Sequence, residues 1–194
     1  MTTNNMIISF SGAPGSGKST IAQMLADKLA WPRYYMGGLR REEAKKRGMT
    51  LEEYNKLGEE DPATDKEIDE YVESLGRNND NFIIEGRTCW YFIPHSLKIY
   101  LDVDKEAGAK RIFSSLQRKN DRNEASDLKS WQDVLDSNER RIASDNTRYR
   151  KYYGINAYDP KNYDFYLDTT NLTPEEVFQS VYEQVKNNLD NKKN

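Results

Sequence analysis

The chain has little of what redox and metal chemistry need. Among 194 residues there is one cysteine, Cys89, and one histidine, His95. A single cysteine closes no intramolecular disulfide, so a reducing compartment is expected, and no Cys/His spacing suited to a metal occurs. Cys89 reads as a small buried hydrophobe, not a nucleophile. No apolar run approaches the ~20 residues needed to cross a bilayer. The opening MTTNNMII lacks the basic stretch and long apolar run of a secretory leader. An excess of basic charge is missing too. The formal net charge is −3, which argues against a broad nucleic-acid-binding face but leaves room for a local cationic pocket. A cytoplasmic protein with no nucleic-acid or membrane partner is expected.

Charge of both signs is abundant. Charged residues make up 31% of the chain and hydrophobic ones 36%, which points to long solvated helices around one core. The length suits a single domain over 1–194. Short apolar runs at Met6–Phe10, in RYYM, NFIIEG and LKIYLDV, and in YDFYLDTT read as strands. RYYM is expected to close at a Gly37–Gly38 turn. Helical spacing marks Lys18–Leu29, three helices between Leu39 and Leu75, a helix from Asp104 to Arg118, and Trp131–Tyr153, which ends at Gly154. Thr50 and Asp61–Pro62 are helix starts. The last helix opens on a Thr173/Glu176 capping box with Pro174 first inside. RKNDRNEASD is polar and reads as a mobile loop. Strands alternating with helices imply an α/β fold, a five-stranded parallel sheet with helices on both faces.

The stretch FSGAPGSGKST lies between a strand and a helix and carries the spacing Gly12-x4-Gly17-Lys18-Ser19. That is the phosphate-binding loop pattern in its required context. Residues Gly12, Ala13, Pro14, Gly15, Ser16, Gly17, Lys18, Ser19 and Thr20 are expected to wrap a nucleoside triphosphate with backbone N–H groups and a helix N-terminus. Lys18 reaches the outer phosphates, and Ser19 ligates Mg²⁺. ATP and Mg²⁺ are therefore expected.

The loop does not name the acceptor. Three arginine-bearing stretches narrow it. Arg40 and Arg41 follow the Gly-Gly pair; Glu85 and Arg87 leave the end of a buried strand, where ligands bind in open α/β sheets. Arg141, Asp145 and Arg148 stand four and three apart on one helical face. Guanidinium groups match phosphate oxygens bidentately, which favours a phosphate acceptor over a hydroxyl one. A hydroxyl acceptor would require a carboxylate base, and Glu85 suits that role or a Mg²⁺-bound water equally. A nucleotide-binding switch without turnover is the third class. A GTPase would carry an Asn-Lys-x-Asp stretch, which RKND is not.

The phosphate loop, GGLRR…RGMTLEEYNK…EEDP, IIEGR, the arginine-bearing helix, RYRKYYGI and the final YD…DTTNLTPEEV together resemble the nucleoside monophosphate kinases. They are most similar to the short archaeal-type cytidylate kinases. The resemblance runs nearly end to end. It implies a P-loop kinase fold with an acceptor lobe inserted at about 38–80 and a lid at about 118–150, phosphoryl transfer from ATP to CMP or dCMP, and a monomer. It places Arg41, or Arg40 one register away, and Arg87 on the acceptor phosphate. Asp145 then holds the acceptor, and Arg141 and Arg148 meet the transferring phosphoryl group beside Lys18. Gly38 stands where relatives more often carry an acid, a departure that bears on base specificity alone.

Overall fold

A computed structural model describes residues 5–117 and 128–191. Among them, five strands alternate with helices. β1 (Ile7–Gly12) leads into α1 (Lys18–Leu29), and β2 (Arg33–Tyr35) into three consecutive helices, α2 (Met36–Lys46), α3 (Leu51–Gly58) and α4 (Ala63–Asn78). β3 (Phe82–Glu85), the short α5 (Cys89–Phe92), β4 (Leu97–Asp102) and α6 (Lys105–Leu116) follow. Then come α7 (Trp131–Tyr153), a 3-10 turn at Pro160–Asn162, β5 (Phe165–Asp168) and α8 (Pro174–Asn191). The sheet order is β2-β3-β1-β4-β5, and every pairing is parallel.

The alternation of each strand divides the core in two. Ile8 and Phe10 of β1, Ile83 and Ile99 pack against Ile21 and Leu25 of α1 and against Val177, Val181 and Val185 of α8. Ile7, Phe82 and Ile84 face the other way, onto Val72 and Leu75 of α4 and onto Cys89 and Ile93. Each fully buried aliphatic side chain contributes about 1.5–3 kcal/mol, so both sheet faces need their helices. Helix ends follow local chemistry. Thr50/Glu53 and Ser130/Asp133 form capping boxes, Thr173/Glu176 forms another, and Gly154 stops α7 with φ 70°. No helix among the described residues is long and apolar enough to cross a membrane.

Two expectations are corrected. Gly37 and Gly38 do not close β2 with a turn; they occupy the first turn of α2. The ring of Tyr35 lies over both, and a Cβ on either glycine would approach that ring to 2.8 Å. The strand therefore passes straight into the helix. The second concerns α5, a turn of helix after EGR that period counting does not detect, because four residues hold too little periodicity. The polar loop RKNDRNEASD, expected to be mobile, lies at 118–127, outside the described residues.

Candidate active site

The phosphate loop closes on itself and on two neighbours. Ala13 N–H donates to the Leu101 carbonyl at the end of β4 (3.0 Å), and Lys18 Nζ donates to the Ala13 carbonyl (3.0 Å). The glycines answer different demands. A Cβ on Gly12 would lie 2.0 Å from the Leu101 carbonyl, and one on Gly15 would lie 2.3 Å from that of Gly108 in α6. Gly17 has open space around it and a φ of 85°, and it caps α1. Only at Gly17 does the missing side chain leave room for a ligand at the helix N-terminus.

A cleft runs from this loop to α2, α4 and α7. Lys18, Ser19, Arg41, Glu85, Arg87 and Arg141 all line it, so the structure brings together side chains from four segments. Arg41 donates Nη1 to the Tyr35 hydroxyl (2.7 Å) and the Gly37 carbonyl (3.1 Å). Arg40, the alternative, is committed to Asn55 Oδ1 (2.7 Å), the Thr64 carbonyl (3.1 Å) and Asp65 Oδ1 (2.6 Å). Arg87 donates Nη1 to the Gly12 carbonyl (2.5 Å) and Nε to the Tyr158 hydroxyl (2.9 Å).

Asp145 is the hub of the far wall. Tyr158 Oη donates to its Oδ2 (2.6 Å), Arg148 Nη2 to its Oδ1 (2.5 Å), and Arg87 Nε lies 3.4 Å away. Burial alone would push this carboxyl up, but Arg148, Arg87 and Arg141 outweigh it and hold it below the usual range. Arg148 is placed differently from the expectation. It is 0% exposed, does not line the cleft, and joins Asp145 to Asp65 through its two amino ends. Its seven-residue spacing from Arg141 put both on one helix side, yet α3 packs against that helix and Asp65 of α4 pairs with Arg148, so one of the two is buried.

Glu85 is 1% exposed, and its Oε1 is held by Arg33 Nε (2.6 Å) and Nη2 (2.5 Å). Its Oε2 is buried with no hydrogen-bond partner among the described residues. In the cleft it shares with Ser19, that orphaned oxygen fits a divalent cation held through water.

Sequence reasoning missed three contributors, Tyr158, Tyr149 and Thr88, and placed a fourth, Asp69, in the acceptor lobe without a role. Tyr158 follows α7 in a turn with no periodicity to mark it. Tyr149, Thr88 and Asp69 line the cleft from α7, the entry to α5, and α4. Thr88 Oγ1 donates to Asp69 Oδ1 (3.1 Å) and Tyr153 Oη donates to Oδ2. Burial pushes the Asp69 carboxyl up to about 7, against the Tyr153 hydrogen bond. A second cavity of about 420 Å³ lies on the other side of the phosphate loop, between Arg111 and the Thr169–Pro174 segment. There Arg111 donates to Thr169 Oγ1 (3.1 Å) and the Thr169 and Thr170 carbonyls (2.8 and 3.0 Å), and Thr169 Oγ1 donates to the Ser16 carbonyl (3.2 Å). A larger cavity, about 980 Å³, sits between α3 and α7. Its lining mixes charges: Glu52, Glu53, Glu59, Asp133 and Asp136 stand beside Lys56, Arg140 and Arg141, and Glu52 pairs with Arg140.

The chain is similar to known proteins over most of its length. A cytidylate kinase from Halobacterium salinarum is 33% identical over 182 residues, spanning 93% of this chain and 89% of that one. One from Methanocella arvoryzae is 32% identical over 180 residues, 93% and 97% of the two chains. The crystal structure of shikimate kinase from Bacteroides thetaiotaomicron superposes with a TM-score of 0.61 at 12% identity, covering 93% of this chain and 98% of that one, a likeness of fold. Residues 7–171 match the pattern of the cytidylate kinase-like family, and the chain belongs to that family.

Proposed function

We propose that the protein transfers the terminal phosphoryl group of ATP to CMP or dCMP, giving ADP and the nucleoside diphosphate. The observation that carries this is the convergence of Arg41, Arg87 and Arg141 on the cleft that holds Lys18. A phosphomonoester has a second pKa of about 6, so the acceptor is already mostly dianionic at neutral pH and needs no general base. What remains is positioning and charge neutralisation. Arg41 and Arg87 grip the acceptor phosphate; the commitment of Arg40 to Asp65 and Asn55 supports Arg41 in that role. Lys18 and Arg141 neutralise charge on the transferring group. Asp145 orients the acceptor and is itself fixed by Arg148 and Tyr158. Mg²⁺ held by Ser19 and, through water, by Glu85 neutralises the outer phosphates when bound. The cavity beside Arg111 and Thr169 takes the nucleoside end of ATP, since it opens from the same loop on the face away from the acceptor.

In this reading α2–α4 (about 38–80) form the acceptor lobe, and the lid expected at about 118–150 includes most of α7, its stretch at 118–127 lying outside the described residues. The protein is a cytoplasmic monomer, in keeping with its single buried thiol. A hydroxyl acceptor is disfavoured because Arg41, Arg87 and Arg141 line the cleft, a cationic set that matches phosphate oxygens rather than a neutral hydroxyl. ADP release measured over the common monophosphates and a set of hydroxyl acceptors tests the proposal. Turnover with CMP or dCMP supports it. Consumption of ATP only with a hydroxyl acceptor, or equally without any acceptor, overturns it.

A further inference from the structure

Four carboxylates line the acceptor cleft, and three of them are matched by arginine. Asp65 pairs with Arg40 and Arg148, Glu85 with Arg33, and Asp145 with Arg148 and Arg87. The fourth, Asp69, has no cation partner among the described residues. It is 7% exposed, one helical turn beyond Asp65 on α4, and each of its oxygens accepts a single hydrogen bond, from Thr88 and from Tyr153. A carboxylate oxygen accepts about two, so each keeps capacity for one more donor. Ile68, Met36 and Tyr149 line the same cleft and supply flat, apolar walls.

We infer that Asp69 reads the base of the acceptor, selecting a nucleobase with an exocyclic amino group over one with a carbonyl in the same place. The inference rests on the proposed monophosphate kinase activity and names the specificity of its acceptor site. The ionised carboxylate presents acceptors only. The amino group of cytosine donates to it, whereas the O4 carbonyl of uracil sets acceptor against acceptor in a buried site, the arrangement that rejects a ligand most strongly. Adenine carries an amino group on the matching edge, so Asp69 separates amino from keto bases, and the walls set ring size. The groups around Asp69 are Asp65 on its own helix, Arg40 from α2, Thr88 and Cys89 at α5, and Tyr153 from α7. Burial raises its carboxyl to about 7. Once protonated, the acid donates to a uracil carbonyl as readily as it accepts from cytosine. Preference for CMP over UMP then grows as pH rises through neutrality.

The test is the ratio of kcat/KM for CMP to that for UMP, in which the shared phosphate and ATP steps cancel. In wild type the ratio climbs between about pH 6 and about pH 8. Asp69→Asn offers a donor and an acceptor together and lowers the ratio at least ~10-fold at the upper pH. Tyr153→Phe removes a donor that favours the ionised form, so the rise in the ratio moves to higher pH. A ratio within about twofold of wild type in soluble Asp69→Asn overturns the inference. Should that variant fail to fold, an unmoved profile in Tyr153→Phe overturns it. Wild-type turnover of CMP with no change in either variant sinks this inference alone; failure of wild type with every monophosphate sinks the kinase reading as well.

Discussion

Arg87 donates a hydrogen bond from Nη1 to the backbone carbonyl of Gly12 at 2.5 Å. An arginine at the end of β3, proposed to grip the acceptor, thus rests on the first residue of the donor's phosphate loop. An incoming acceptor phosphate competes for the same guanidinium. Arg87→Ala is expected to weaken acceptor use by roughly 10–100-fold, the scale of a charge-assisted hydrogen bond, and to raise KM for ATP too. Arg41→Ala removes a side chain that lines the cleft and donates to Tyr35 and Gly37, and it is expected to affect chiefly the acceptor. Initial rates with each substrate varied separate the two. An unchanged ATP KM in Arg87→Ala would show that the Gly12 contact carries no coupling.

Arg148 and Arg141 share a helix face but not a fate. Removing Arg148 leaves Asp65 and Asp145 buried with a lost partner, which costs about 3–5 kcal/mol. At ~2–4 °C per kcal/mol for a chain of this size, Tm falls by roughly 10 °C. Arg141 is only partly buried and lines the cleft. Arg141→Ala is expected to keep a near-normal Tm and to lose at least ~10² in kcat. Thermal melts beside steady-state rates decide; a large Tm loss in Arg141→Ala would return it to the structural class.

Lys18→Ala is expected to fold normally, since Lys18 is only partly buried and its amino group contacts its own loop. It should lose more than ~10-fold in kcat, because a transition-state charge contact exceeds the ~1.4 kcal/mol of one decade. Retention of a tenth or more of wild-type kcat contradicts that role.

Asp69 also links stability to pH. Its folded carboxyl titrates near 7, chiefly through burial, against about 3.9 for a free aspartate. A raised folded value means that the protonated form is favoured in the native state. This stabilisation is fully present below the unfolded value and is lost as pH rises through the folded one. Asp69→Asn, which never ionises, escapes that loss. The Tm difference between variant and wild type is therefore expected to move in the variant's favour from about pH 5 to about pH 8. A constant difference would place Asp69 ionisation outside the folding balance.

What could be read in advance was whatever is local. The phosphate loop, the capped helices and five strands are set by residues within a few positions of one another, and their spacing is visible in the chain. The cleft's polar network is not local. Asp145 meets Tyr158 across a turn and Arg87 from the exit of β3, and Asp65 reaches Arg148 eighty-three residues away. Spacing put Arg141 and Arg148 on one face but held no information on which of them α3 would cover. The Gly37–Gly38 pair misled for a related reason: its partner is the ring of Tyr35, a packing demand that resembles a turn signal.

Gly108 is the residue whose importance only the fold reveals. It sits inside α6, where glycine is less favourable than alanine by about 1 kcal/mol, so propensity alone recommends replacement. Yet a Cβ there would lie 2.6 Å from the Pro14 carbonyl and 3.0 Å from Val103 Cγ1, and across the same contact Gly15 faces the Gly108 carbonyl. The helix and the phosphate loop touch backbone to backbone. Gly108→Ala therefore trades a helical gain against overpacking, which costs about 1–3 kcal/mol, and the more movable partner is the loop. Arg111, one turn further along α6, braces the Thr169–Thr170 wall of the donor cavity, so a shift of α6 disturbs that wall as well. The expected outcome is a small change in Tm, a KM for ATP raised ~10-fold or more, and an unchanged KM for CMP. Titration of ATP against fixed CMP, then the reverse, reads this directly. An unaltered ATP KM in a stable variant would show that the loop keeps its shape without the glycine contact, and an equal rise in both KM values would point to a distortion spreading through the sheet.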